Sequence, residues 1–254
     1  MGDGVSWPAV KASLAERGFR YVVCPLVIIE LMEGLVLSRP EYFMEHRKRF
    51  EVLRLDATEY LHLPGRFAVR ALYDVDTALV ALGPADYKQW VDTICRAGSL
   101  EQLRSGVPAY ASNLVSTGLD IQKLLSFRQA GSGHHRSRME AIRAAKTCAD
   151  APHAWALSML RSLGIIAKDK SDLDRFVEAL SAAYAYELCL IKLAANTGYR
   201  FDAKERHGDR IDSEILFYLA APDMHIVTDD ENLRKRCADS PQAARVLLLK
   251  DLSY

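Results

Sequence analysis

Residues Asp209 to Lys235 read DRIDSEILFYLAAPDMHIVTDDENLRK. The first half is an amphipathic helix with acids at its start and a mostly apolar run over 212–220, broken near Pro222. His225–Val227 is a short β-type run, and Thr228, Asp229 and Asp230 follow at once. A carboxylate at a helix start and another at the C-terminal end of a strand can converge on one point, as ligand sites do at the edge of open parallel sheets. The stretch therefore predicts an α/β architecture, and the remaining chain is read for further strand–helix units and further acids.

Strand–helix signals recur near the other end. Ser6 can cap a helix to about Arg17, with Gly18 as its stop. Tyr21–Val23 reads as a strand, and Pro25 opens a helix from Leu26 to about Leu37. That helix is apolar almost all round, so burial is expected, and Glu30 in its middle is expected to be paired, protonated or metal-bound. Glu51–Leu55 alternates like a strand, and Pro64-Gly65 makes a turn. From about 66 to 195 helical periodicity dominates, ending in one long helix from about Ser171 to Asn196. Gln129–Arg136 reads as a mobile basic loop, with His134, His135, Arg136 and Arg138 as phosphate contacts or plain solvated groups. Arg245–Leu249 reads as a last buried strand. The expected organisation is a parallel-sheet domain with helices on both faces, formed by residues 1–65 and 199–254 and interrupted by an all-α insertion over 66–198.

Bulk composition limits the function classes. With 254 residues and 50% hydrophobic content the chain can bury a sizeable core. Lys+Arg and Asp+Glu number 33 each, so overall basicity gives no argument for nucleic acid. Five scattered cysteines without a C-x-x-C pair suit a reducing compartment and argue against zinc. No signal peptide or bilayer-length apolar run is read, so a cytoplasmic location without membrane partners is expected.

The acids carry the chemistry. Glu30, Asp212 and Asp230 stand out by context, with Asp209 and Asp229 as neighbours that could assist. Each also fits a structural role alone: Asp209 or Asp212 against a helix dipole, Asp229 or Asp230 as the cap of the helix after Glu231. Together, clustered carboxylates need cations or raised pKa values, and an oxygen-only set suits Mg²⁺ or Mn²⁺. Such ions activate water and stabilise a phosphoryl transition state, which hydrolyses a phosphodiester.

Two segments resemble a known family. Val23 to Leu35 (VCPLVIIELMEGL) is similar to a strand–helix unit of PIN-domain nucleases. Asp212–Leu216 followed by Ile226–Leu233 (IVTDDENL) is similar to that family's later acidic helix and its strand-Thr-x-Asp segment. The resemblance implies a PIN-like (Rossmann-like) α/β fold and active-site acids at Glu30, Asp212 and Asp230. It also implies a ribonuclease of toxin or RNA-processing type, with RNA ahead of DNA as substrate, an antitoxin-like protein partner and a homodimer. The family opens on an apolar strand ending in Asp. This chain opens Met1-Gly2-Asp3-Gly4-Val5, without such a strand. The favoured reading is a start that lies upstream; a segment supplied from elsewhere and a lineage without the acid are the alternatives. The second functional reading is a catalytically impaired PIN-like module that binds RNA or protein.

Overall fold

The computed structural model describes residues 7–37, 39–73, 83–105, 121–197, 199 and 207–252, with backbone alone at 7, 33, 36–37, 104–105, 121–132 and 207. In chain order the helices are α1 (Trp7–Glu16), α2 (Pro25–Leu37), α3 (Phe43–Asp56), α4 (Pro64–Tyr73), α5 (Pro84–Arg96), α6 (Leu100–Ser105) and α7 (Ile121–Ala144). They continue with α8 (Ala151–Ser162), α9 (Lys170–Ala179), α10 (Ser181–Thr197), α11 (His207–Ile215) and α12 (Glu231–Arg236). The strands are β1 (Val22–Val23), β2 (Glu59–Tyr60), β3 (Ile226–Thr228) and β4 (Val246–Leu248). Among the described residues no helix is long and apolar enough to cross a membrane.

This corrects the expected α/β class. Among the described residues the fold is mostly helical, with two sheets of two strands each and no sheet large enough to act as a core. Both pairs are parallel. Val22 faces Glu59 and Val23 faces Tyr60; Ile226, Val227 and Thr228 face Val246, Leu247 and Leu248. Each strand is two or three residues long, about 10 Å at most, too short to present a face that helices could cover on both sides. Glu51–Leu55, expected as a strand, is the last part of α3. Its alternation is overridden by the helical spacing of Phe43, Phe50 and Leu53, which are the buried residues of that helix.

The chain forms two compact units, one from residues 1–20, 64–79 and 131–254, the other from 21–63 and 80–130. In the second unit α3 packs on α2 and α5, and β1–β2 is extended by Thr58 and Leu61, whose backbone N–H groups donate to Tyr21 and Val23. In the first, α8, α9 and α10 surround Trp155, Phe176, Tyr186 and Leu190, and the core continues through Phe217 and Leu219 to Ile226 and Val246 of the sheet. α1 ends where Gly18 takes a φ of 78°, the left-handed conformation that turns the chain toward Phe19.

The long helix expected over 171–196 is two helices, α9 and α10, parted at Leu180. At that break the Ser181 hydroxyl meets the Ser240 hydroxyl at 2.8 Å, and Gln242 accepts from the Ala182 N–H while donating to the Ala179 and Leu219 carbonyls. The expected loop at Gln129–Arg136 is instead the interior of α7. Gly133 sits there, exposed, and a Cβ at that position meets no atom within 4 Å. Gly133→Ala is therefore expected to stabilise the protein by roughly 0.5–1 kcal/mol, read by chemical denaturation. A loss of stability there would contradict a helical backbone through this segment.

Candidate acidic site

The first unit gathers three of the acids read from the sequence. Asp209, in the first turn of α11, is buried. Its Oδ1 accepts from Arg236 Nη1 at 2.6 Å and its Oδ2 from the Tyr199 hydroxyl. Asp212 lies one turn on, half-buried, and its Oδ2 accepts from the Tyr186 hydroxyl at 3.1 Å. The same hydroxyl stands 3.4 Å from Asp209 Oδ1 and accepts from Arg236 Nη1 at 2.9 Å. A phenol carries one proton, so the shorter contact assigns it to Asp212. Asp230 follows β3 and is exposed; its Oδ1 accepts from the Asn232 N–H at 2.7 Å, capping α12, while its own N–H donates to Thr228 Oγ1. Asp229 is exposed beside it.

Electrostatics ties these groups together. Burial pushes the Asp212 carboxyl up to about 6; the Tyr186 hydrogen bond opposes this, and the charges of Asp230 and Asp209 add to it. The Tyr186 hydroxyl is pushed far up by burial and by Asp212, so it stays a donor. Arg236, with its guanidinium 5.5 Å from the Tyr186 ring centre, is the cation of the group. Arg236 is paired with Asp209, and its charge does not offset the rise that burial, Asp230 and Asp209 impose on Asp212.

The donor set sets the terms for a metal. Among the described residues no group of three or more His, Cys, Asp or Glu side chains is placed to hold a metal ion. Asp209 is committed to Arg236 and the tyrosines. Asp212 Oδ1 and Asp230 Oδ2 accept no hydrogen bond from the described residues. Carboxylates with unspent oxygens are the donor type of a hydrated Mg²⁺ or Mn²⁺, which is commonly held by one or two carboxylates and keeps several waters. They do not fit a closed all-protein cage.

No protein-family model, no curated protein and no solved structure matches this chain. The functional reading therefore stands on the residues themselves.

Glu30 belongs to the other unit and lies on the exposed side of α2, with Leu26, Ile28, Met32 and Leu35 buried; the expected burial of its carboxylate is not seen. The buried carboxylate is Glu187, in α10, fully enclosed. Arg138 Nε and Nη2 donate to its Oε1 at 3.0 and 2.8 Å, Ser213 Oγ donates to Oε1 at 2.6 Å, and Trp155 Nε1 donates to Oε2 at 2.7 Å. Burial alone would raise its pKa, but the charge and hydrogen bonds of Arg138 and the hydrogen bond from Ser213 more than offset that and hold it ionised. His135, buried 3.7 Å away, is pushed down to about 4 by burial and stays neutral. This network ties α7, α8 and α10 to α11, and Ser213 and Tyr186 are the chain neighbours of Asp212 and Glu187, so it fixes the backbone under the acids. The basic patch read at 133–138 is thereby divided: Arg138 is consumed by Glu187, and His134 and Arg136 are exposed. The signal for Glu187 was present, a lone acid in the apolar run Tyr184–Leu190. It is the same signal that pointed to Glu30.

Proposed function

We propose that the first unit binds Mg²⁺ or Mn²⁺ through Asp212 and Asp230 and hydrolyses phosphodiester bonds there. The observation that carries this reading is that the charges of Asp209 and Asp230 both act on Asp212, with Arg236 paired to Asp209 and one oxygen unspent on each of Asp212 and Asp230. A divalent ion would neutralise the excess charge and, when bound, supply an activated water and a counter-charge for the phosphoryl group. Within the chain, Tyr186 orients Asp212 through its hydroxyl. Arg236 and Tyr199 hold Asp209 in place, making it a positioning residue. Asp230 is held by its own capping bond. The sequence resemblance supports the reaction class and RNA as substrate; the sheet architecture that it implied plays no part in the proposal.

The test is cleavage of fluorescently end-labelled single-stranded RNA and DNA of mixed sequence, with Mn²⁺, with Mg²⁺ and with chelator. Cleavage that needs the ion and favours RNA is expected. Ion-independent cleavage, or none with either ion, contradicts the proposal. Binding of RNA without cleavage would instead favour the non-catalytic reading, which draws on Asp230 already serving as a helix cap.

A further inference from the structure

Among the described residues of the second unit, the outward side of α3 carries an exposed apolar stripe. Met44 is 47% exposed, Val52 40% and Leu55 75%, while Phe43, Phe50 and Leu53 face inward. Met44, Lys48, Glu51 and Leu55 fall at i, i+4, i+7 and i+11, so they line one seam along a helix of 14 residues, about 21 Å long. Apolar side chains stand at both ends of the seam. In its centre Lys48 is exposed, and Glu51, a third exposed, pairs within the helix with Arg47 at 3.1 Å.

This order of residues is self-complementary. Two copies of α3 laid antiparallel about a two-fold axis midway between Lys48 and Glu51 put Met44 of each against Leu55 of the other. The same register sets Lys48 of each against Glu51 of the other. A parallel arrangement would set Lys48 on Lys48 and Glu51 on Glu51. We propose that this face is an isologous interface and that its occupant is α3 of a second copy of the chain. Charge complementarity fixes the antiparallel register, and the exposed Met44, Val52 and Leu55 supply the apolar burial. Two four-turn helices bury an area at the low end for specific association, so the dimer is weak and concentration-dependent.

The test is sedimentation analysis of the full chain over a concentration series, with Lys48→Glu and Glu51→Lys variants and far-UV circular dichroism as the folding control. Wild type is expected to dimerise, and each variant alone to associate at least roughly tenfold more weakly, because like charges then meet at the centre. An equimolar mixture of the two variants is expected to recover association as a heterodimer, since the two acids at the centre of one seam then face the two lysines at the centre of the other. Wild type that stays monomeric, variants that dimerise as well as wild type, or a mixture that fails to pair would each overturn the proposal. The mixture is the arm that separates a specific two-fold seam from general stickiness of the exposed apolar side chains.

Discussion

Glu187→Gln is expected to destabilise the first unit by about 3–5 kcal/mol, because it leaves the Arg138 guanidinium buried without a counter-charge. For a protein of this size that corresponds to a fall in melting temperature of roughly 6–20 °C. Arg138 cannot turn to water: it is 2% exposed and its guanidinium stands 5.3 Å from the centre of the Phe217 ring. The substitution also replaces a charged acceptor for Trp155 and Ser213 with a neutral one. Unfolding followed by tryptophan fluorescence in a Trp7→Phe, Trp90→Phe background, where Trp155 alone reports, reads the effect where it arises. A double variant, Glu187→Met with Arg138→Met, removes both charges and is expected to recover most of the lost stability. If the single change costs under about 1 kcal/mol, the network is not the fixed support that the geometry describes.

Asp212→Asn is expected to act in opposite directions on activity and stability. Activity should fall at least roughly 100-fold, since the change removes a charged oxygen from the proposed ion site. Stability of the metal-free protein at neutral pH should rise. The folded carboxyl titrates near 6 against an ordinary value of 3.8, so the folded state favours the protonated form. The contribution of Asp212 is therefore fully favourable below about pH 4, is lost as pH rises through 6, and stays lost above. About two pH units at about 1.4 kcal/mol each bound the effect at about 3 kcal/mol. His135 works the other way in an overlapping window: its folded pKa of about 4 lies below the ordinary 6.5, so its contribution is present above pH 6.5 and is lost as pH falls toward 4. The two trends partly cancel in the wild-type curve. The difference between wild type and Asp212→Asn isolates the aspartate, and thermal unfolding of both across roughly pH 4 to pH 8 measures it. A difference that does not change with pH would mean that Asp212 is not the strained carboxylate described here.

Local punctuation in the chain was readable, and the assembly of the pieces was not. Gly18 and Pro25 mark a helix end and a helix start in the expected places because their backbone preferences act locally. The short β-type runs read at 21–23, 225–227 and 245–249 fall on strands of two or three residues, but strand propensity says nothing of how many partners a strand will find. That number is set by tertiary packing, and it separates a parallel-sheet core from the two-stranded pairs observed. Gly131-Ser132-Gly133 read as a loop on the weakness of its helix formers, and a helix of 24 residues runs through it, which cooperative propagation allows.

Of the site, the acids of one stretch were legible because a helix start and the end of a strand fall within the same short run of sequence. Tyr186, Tyr199 and Arg236 were not, because each reaches the acids from a different part of the chain. Glu30 and Glu187 show the limit most clearly. Both are lone acids in apolar helical runs, and the sequence alone could not tell which faced the core. In α2 the buried positions are Leu26, Ile28, Met32 and Leu35, which leaves Glu30 exposed. In α10 they include Ala183, Tyr186, Glu187 and Leu190, a row that carries the acid inward to Arg138.

The most direct test of the ion site is calorimetric titration of the metal-free protein with Mn²⁺, comparing wild type with the Asp212→Asn, Asp230→Asn double variant at neutral pH. Wild type is expected to bind one Mn²⁺, and the double variant to bind it at least roughly tenfold more weakly with the fold intact by circular dichroism. Equal, weak binding by both proteins would contradict the ion site.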